Sequence, residues 1–125
     1  MAQLKYPLNQ IYFYLTEGCN LRCRHCWIEP RYQTPEQSFP ALDPVLFASI
    51  LDQGMALGMQ RVKLTGGEPL LHPEIDRLLD RIEERHLGLT IESNGLLCTP
   101  QMAARIARFE KRFVSVSLDG ADAET

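Results

Sequence analysis

Short apolar runs with a strong preference for extended structure recur four times along the chain. They lie at Ile11–Leu15, Val62–Leu64, Leu87–Ile91 and Phe113–Leu118. Each run is rich in β-branched or aromatic residues and is shorter than a typical helix, as is usual for strands buried on both faces of a parallel sheet. The pattern therefore predicts four strands, and the second of them ends at Thr65.

Helical patterns occupy the segments between these strands. Three of them open on a proline, at Asp43-Pro44, His72-Pro73 and Thr99-Pro100. Proline suits the first position of a helix because the N–H that it lacks would be unpaired there, and aspartate and threonine are good N-caps. Gly58 and Gly88 stand where helices commonly end. Apolar residues with the spacing of one helix face lie at Ile75, Leu78, Leu79 and Ile82, and again at Met102, Ile106 and Phe109.

The order of these elements indicates the fold class. Strands that alternate with helices predict an α/β fold with a parallel sheet, and both a doubly wound sheet and part of a (βα) barrel fit the pattern. One connection, Thr16–Leu42, is much longer than the others. Long connections in compact domains are usually functional, so the chemistry is expected there.

Composition and charge narrow the class of function. The chain has 125 residues and a formal net charge of −3. It therefore offers no broad basic field for nucleic acid or for an anionic membrane. No apolar stretch approaches the ~20 residues of a membrane helix, and the first residues lack the pattern of a signal peptide. The expected compartment is the cytoplasm, with no nucleic-acid or membrane partner.

The cysteines point to a metal centre. Cys19, Cys23 and Cys26 lie close together in the long connection, and Cys98 is remote from them. Thiolates are preferred ligands of iron–sulfur clusters and of zinc, and a reducing cytoplasm disfavours disulfides. Three cysteines leave one corner of a cubane cluster open, whereas a structural zinc site needs a fourth ligand, from His25 or from a distant residue such as His72. The spacing leaves both metals open.

Other unusual segments fall at the ends of the predicted strands. Gly66-Gly67-Glu68-Pro69 follows the second strand, Glu92–Gly95 spans the end of the third, and Ser117–Gly120 closes the fourth. Each is a common turn signal when taken alone. However, the carboxyl ends of parallel strands share one edge of a sheet, and ligands bind at that edge in parallel α/β proteins. The sequence thus predicts one site built from these turns and the cysteine loop.

Taken together, the motifs CNLRCRHC at Cys19–Cys26, GGEP at Gly66–Pro69, SNG at Ser93–Gly95 and SLDG at Ser117–Gly120 resemble those of the radical S-adenosylmethionine (radical SAM) superfamily. The resemblance spans about Ile11 to Gly120. It implies that residues 1–125 form the N-terminal part of a (βα)6 TIM-like barrel whose remainder is absent.

The resemblance also implies a cofactor set. Cys19, Cys23 and Cys26 would hold a 4Fe–4S cluster, and S-adenosyl-L-methionine would chelate its open iron. The methionine amino end would lie at Gly66, Gly67 and Glu68. The backbone of His25 would contact the adenine, and the other residues expected around the same ligand are Ser93, Asn94, Ser117 and Asp119. No side chain of the chain is assigned a catalytic role, because the chemistry belongs to the cofactor.

The implied activity is reductive cleavage of S-adenosyl-L-methionine to a 5′-deoxyadenosyl radical that abstracts hydrogen from a substrate. The motif forms are most similar to those of peptide and sulfatase maturases that carry a C-terminal cysteine-rich (SPASM) domain. A peptide or protein substrate and a one-electron reductant such as flavodoxin or ferredoxin are therefore expected, and the isolated chain is expected to be inactive. A zinc-stabilised binding module and a non-catalytic remnant of the barrel are the alternatives.

The remaining singular residues receive simpler interpretations. His72 is predicted to be a capping residue and His86 a helix-end residue. Cys98 is predicted to be a small, buried residue near a helix start. Trp27 and Tyr32 are predicted to pack around the cysteine loop.

Overall fold

The fold alternates strands with helices along the chain. The structure is a computed structural model that describes residues 5–19, 31–32 and 40–117. The strands in these ranges are β1 (Gln10–Tyr14), β2 (Gly18–Cys19), β3 (Arg31–Tyr32), β4 (Arg61–Thr65), β5 (Gly88–Ser93) and β6 (Arg112–Val116). The helices are α1 (Pro44–Ala56), α2 (Ile75–Glu84) and α3 (Pro100–Ala107), and a 3₁₀ turn spans Pro69–Leu71.

The main sheet contains β1, β4, β5 and β6 in that spatial order, and all its neighbours are parallel. Phe13 lies opposite Leu64, which lies opposite Ile91 in the next strand. Helices lie between the sheet strands in sequence, since parallel neighbours must be joined by a crossover. The predicted α/β class with a parallel sheet is confirmed.

The hydrophobic core lies between the sheet and the helices. Alternate strand residues such as Val62, Leu64 and Ile91 are buried on one face. The ring of Phe13 meets that of Phe47 in α1 edge-on, with centroids 4.7 Å apart, a favoured aromatic geometry. The predicted apolar face of α2, Ile75, Leu78, Leu79 and Ile82, is buried in the same core. This packing fixes the positions at which the strands end.

Two of the predicted helix starts have the expected caps. The Asp43 carboxylate accepts a hydrogen bond from the amide of Leu46 at 3.0 Å, and the Thr99 hydroxyl accepts one from the amide of Met102 at 3.1 Å. Each cap is followed by a proline at the first helical position. Both caps satisfy N–H groups that would otherwise lack a partner in the first turn.

Several local predictions are wrong. α2 begins at Ile75 instead of Pro73, because the amide of Glu74 is bound to the ring of His72 in a preceding turn. Gly88 opens β5, and the positive φ after α2 belongs to His86, at 55°. Cys98 is exposed and carries a free thiol, since it lies in the loop before α3.

The boundaries of the strands also differ slightly from those predicted. β1 begins and ends one residue earlier, and β5 continues to Ser93. The long connection contains a short parallel ladder, in which Gly18 pairs with Arg31 and Cys19 with Tyr32. These shifts leave the predicted motifs at the carboxyl ends of the strands.

Candidate cofactor site at the strand ends

The turn after β4 is hydrogen-bonded to the segment after β1. The amide of Gly67 donates to the carbonyl of Thr16 at 3.2 Å, and the amide of Glu68 donates to the carbonyl of Gly18 at 2.9 Å. Gly18 and Cys19 together form β2. The GGE turn is therefore bonded to the backbone that leads directly into the first predicted cluster ligand.

Gly66 is required by the geometry of this turn. Its φ is +118°, a backbone conformation that is strained for any residue with a Cβ. A Cβ there would lie 3.1 Å from the carbonyl oxygen of Thr16 and 3.2 Å from the amide nitrogen of Leu15. The first glycine of the motif therefore lets the turn pack tightly against the end of β1.

The carboxylate of Glu68 lies at the centre of the site. It is 1% exposed, and it accepts hydrogen bonds from the Ser93 hydroxyl at 2.8 Å, the Asn94 amide at 2.8 Å and the Leu70 amide at 3.2 Å. None of the salt bridges formed within the described ranges involves Glu68. A buried carboxylate is costly without a cation beside it, so the site favours a positively charged ligand.

Ser93 and Asn94 shape the turn after β5. The Ser93 hydroxyl accepts from the amide of Gly95 at 2.9 Å while it donates to Glu68. The side-chain carbonyl of Asn94 accepts from the amide of Leu96 at 3.1 Å. The φ of Gly95 is +81°, which a glycine accommodates without strain. Glu68, Ser93 and Asn94, predicted separately from three motifs, are thus brought together.

Ser117 joins this edge through its backbone. Its amide donates to the carbonyl of Ser93 at 3.0 Å, just beyond the end of β6. Its side chain is exposed. The structure therefore places Ser117 next to Ser93, and Ser117 makes no hydrogen bond to the Glu68 carboxylate.

The remaining predicted site residues lie beyond the described part of the chain. They are Cys23, Cys26, His25 and Asp119. For Cys19 the structure gives the backbone position in β2. Their expected roles stay predictions, as does the packing of Trp27 and Tyr32.

A second polar group lies on the sheet face opposite the helices, and of its residues only Glu92 belongs to a predicted motif. The ammonium of Lys63 in β4 is 2.6 Å from the carboxylate of Glu92 in β5 and 4.5 Å from the ring centroid of Tyr12. The Thr65 hydroxyl donates to the same carboxylate at 3.2 Å. The hydrogen bond with Glu92 raises the pKa of Lys63. Alternation along β4, with Val62 and Leu64 buried, is the signal that identifies this face.

Comparison with known families decides the wider assignment. The model of the radical SAM superfamily matches residues 13–125. The chain belongs to the radical SAM superfamily. Among the described residues, no helix of this radical SAM chain is long and apolar enough to cross a membrane.

Two curated relatives have different reactions in their names. The mycofactocin maturase MftC of Mycobacterium tuberculosis is 34% identical over 110 residues, which cover 88% of this chain and 27% of that protein. The GTP 3′,8-cyclase of a Synechococcus species is 36% identical over 121 residues, which cover 94% of this chain and 34% of the cyclase. The radical SAM chain thus spans about a quarter to a third of these relatives.

Among solved structures, Streptococcus suis SuiB has the same fold over this region. Bound to S-adenosylmethionine, it matches with a TM-score of 0.78 and 26% identity over 95% of this chain and 27% of SuiB. Bound to its precursor peptide SuiA, it matches with a TM-score of 0.77 over 97% of this chain and 26% of SuiB. The parallel sheet and helices therefore correspond to part of a radical SAM fold.

Proposed function

We propose that this chain is the N-terminal part of the barrel of a radical SAM enzyme, with Cys19, Cys23 and Cys26 as ligands of a 4Fe–4S cluster. Reductive cleavage of the sulfonium to a 5′-deoxyadenosyl radical, which takes a hydrogen atom from the substrate, is the chemistry that the cluster and S-adenosylmethionine supply when bound. The family match supports this chemistry. The chain's own residues bind and orient the ligand.

The observation that carries the proposal is the environment of Glu68. Its carboxylate is buried and held by three protein donors, and it gains an opposite charge when an ammonium group binds beside it. The amino group of S-adenosylmethionine is such a cation. The same turn is bonded to Gly18, next to Cys19. A ligand whose amino end lies at Glu68 is therefore close to the segment that begins the cysteine loop.

The remaining site residues have supporting roles in this proposal. Gly66 and Gly67 allow the backbone of the turn to approach the methionine portion. Ser93 and Asn94 fix the position of the Glu68 carboxylate through their hydrogen bonds. Ser117 and Asp119 line the methionine or ribose portion, and the backbone of His25 contacts the adenine.

The proposed substrate is a peptide or protein. Its support is the similarity to MftC, named as a maturase, and to SuiB, solved with a precursor peptide. The further barrel units, a C-terminal SPASM domain and a flavodoxin or ferredoxin reductant belong to the same proposal. Formation of 5′-deoxyadenosine that is stimulated by peptides and not by GTP is the expected result, and stimulation by GTP alone would overturn the substrate assignment.

The cluster is tested with one substitution and a matched control. The protein, in the full length that its gene encodes, is purified without oxygen and assayed for iron and acid-labile sulfide. Cys23→Ala is expected to lose the iron and sulfide of this one cluster, because it removes a thiolate ligand, and to keep any that the C-terminal SPASM domain holds. Cys98→Ala, at an exposed free cysteine, is expected to keep both.

The same preparation separates the proposal from its two alternatives. The unsubstituted protein is expected to form 5′-deoxyadenosine from S-adenosylmethionine after reduction with dithionite. Stoichiometric zinc without acid-labile sulfide identifies a zinc-stabilised module. A loaded iron–sulfur cluster with no cleavage of S-adenosylmethionine identifies a non-catalytic remnant.

A further inference from the structure

His72 has a fully engaged side chain that the predicted capping role does not explain. It follows the 3₁₀ turn and is 3% exposed. Its Nδ1 accepts a hydrogen bond from the amide of Glu74 at 3.0 Å, and its Nε2 lies 2.6 Å from the carbonyl oxygen of Leu42. Because Nδ1 accepts, the proton belongs on Nε2, which donates to Leu42. Both ring nitrogens are thus hydrogen-bonded.

Leu42, to which His72 is bonded, is the last residue of the long connection Thr16–Leu42, which contains the cysteine loop. The amide of Leu42 donates to the carbonyl of Leu15 at 2.8 Å. Thr16 forms an isolated bridge with Ala41. The two ends of the connection are therefore bonded to each other, on either side of the cysteine loop.

The start of that connection is in turn bonded to the GGE turn, through the bonds from Gly67 to Thr16 and from Glu68 to Gly18. The 3₁₀ turn then leads from Glu68 to His72. The GGE turn and the residues after it therefore contact both ends of the Thr16–Leu42 connection. The contacts to the beginning are backbone hydrogen bonds, and the contact to the end is made by the His72 side chain. The bond at Nδ1 fixes the orientation of the ring, and the bond at Nε2 joins it to Leu42.

We propose that His72 is a positioning residue that holds the end of the Thr16–Leu42 connection at a fixed distance from the Glu68 turn. This inference rests on the proposed function, in which one ligand must reach both the cluster and Glu68. The affinity of such a two-point ligand depends on the distance between the two points. Loss of the bond to Leu42 weakens the binding of S-adenosylmethionine and leaves the three thiolates able to hold iron.

Two substitutions separate the two bonds of the ring. An asparagine places its side-chain oxygen near the position of Nδ1 and does not reach Leu42. A glutamine places its amide nitrogen near the position of Nε2 and can donate to the carbonyl. A purely local role as a cap requires only the bond to Glu74, which His72→Asn retains.

The measurement is equilibrium binding of S-adenosylmethionine to the anaerobic, cluster-loaded, full-length protein. His72→Asn is expected to keep its iron and sulfide and to bind S-adenosylmethionine about 10-fold more weakly, the scale of one buried hydrogen bond. His72→Gln is expected to bind within about 3-fold of the unsubstituted protein. Hydrogen exchange of the cofactor-free protein is expected to be faster at the amide of Leu42 in His72→Asn only.

A control variant excludes a general loss of stability. Ile82→Val thins the buried face of α2 without touching His72, and it is expected to lower the melting temperature without changing the affinity. Equal affinity in His72→Asn and the unsubstituted protein, or equal losses in His72→Asn and Ile82→Val, overturns the positioning role alone. An unsubstituted protein that binds neither iron nor S-adenosylmethionine refutes the proposed function, and the positioning role falls with it.

Discussion

Replacement of Glu68 by glutamine removes one charge at the centre of the site and keeps the size and shape of the side chain. The carboxylate has Leu70 and Ser93 as donors to Oε1, and Asn94 as donor to Oε2. A glutamine keeps the first two bonds when its amide oxygen occupies the place of Oε1. Its amide nitrogen then faces the amide of Asn94, so that two donors meet where a 2.8 Å hydrogen bond existed.

The magnitude follows from two opposing effects. Loss of a hydrogen bond to a charged acceptor costs about 1.5–3 kcal/mol. Against this, a neutral amide removes the cost of burying a carboxylate without a counter-ion, which is on the order of several kcal/mol. The two largely cancel, and the free energy of unfolding of the ligand-free protein is expected to change by less than about 2 kcal/mol. For the binding of a cation nothing offsets the lost charge. The affinity for S-adenosylmethionine is therefore expected to fall roughly 10- to 150-fold.

The assay compares urea unfolding of the cofactor-free protein with equilibrium binding of S-adenosylmethionine to the cluster-loaded protein. Glu74→Gln is the matched control, because the side chain of Glu74 is 40% exposed and pairs with Arg77 at 2.6 Å. A surface pair of this kind contributes at most about 1 kcal/mol to stability. Glu74→Gln is expected to leave the affinity for S-adenosylmethionine unchanged. A Glu68→Gln protein that binds S-adenosylmethionine as tightly as the unsubstituted protein would refute the argument from an unpaired buried charge.

Three further outcomes test the surrounding fold. Gly66→Ala is expected to destabilise by about 2–3 kcal/mol in urea unfolding because of its positive φ, whereas Gly88→Ala, at a glycine with an ordinary strand conformation, is expected to cost less. His86→Gly is expected to stabilise by about 1 kcal/mol by the same assay, since glycine adopts the left-handed conformation without strain. The hydrogen bond from Arg85 lowers the pKa of Asp52, so the contribution of that pair is complete above about pH 5 and is lost as the pH falls below about 4. The melting temperatures of Asp52→Asn and the unsubstituted protein are therefore expected to differ at pH 7 and to converge at low pH.

Local patterns in the sequence predict most of the elements of this fold. The strands are revealed by short runs rich in β-branched and aromatic residues, which favour extended structure. The expected burial on both faces is wrong for the described residues, since one face of the sheet is open and β6 is exposed along its whole length. Asp43 and Thr99 are recognisable as caps because their hydrogen bonds join residues three positions apart. Gly88 was misassigned because a glycine after a helical pattern has the same appearance at a helix end and at the start of a strand. His86 shows that a non-glycine residue took the left-handed position instead.

The site could be predicted only as a set of loops at one edge. The carboxyl ends of parallel strands lie at the same edge of a sheet, so Glu68, Ser93 and Asn94 could be expected to lie near one another. The direction of each hydrogen bond could not, since it depends on how the turns pack in three dimensions. The bond between His72 and Leu42 joins residues 30 positions apart, and a single sequence contains no periodic signal for such a contact. Alternation along β4 indicates the face on which Lys63 lies, but it does not identify Glu92 in the next strand as its partner.

The two acidic groups near this edge differ in what they offer to a cation. Glu92 already has the ammonium of Lys63 at 2.6 Å and the Thr65 hydroxyl at 3.2 Å, so its charge is neutralised. Glu68 is buried and is held only by neutral donors among the described residues, none of which places a cation beside it. An incoming ammonium therefore gains more at Glu68 than at Glu92, where it must compete with a lysine. This difference explains why the proposed amino-group site lies at the strand ends and not on the open face of the sheet.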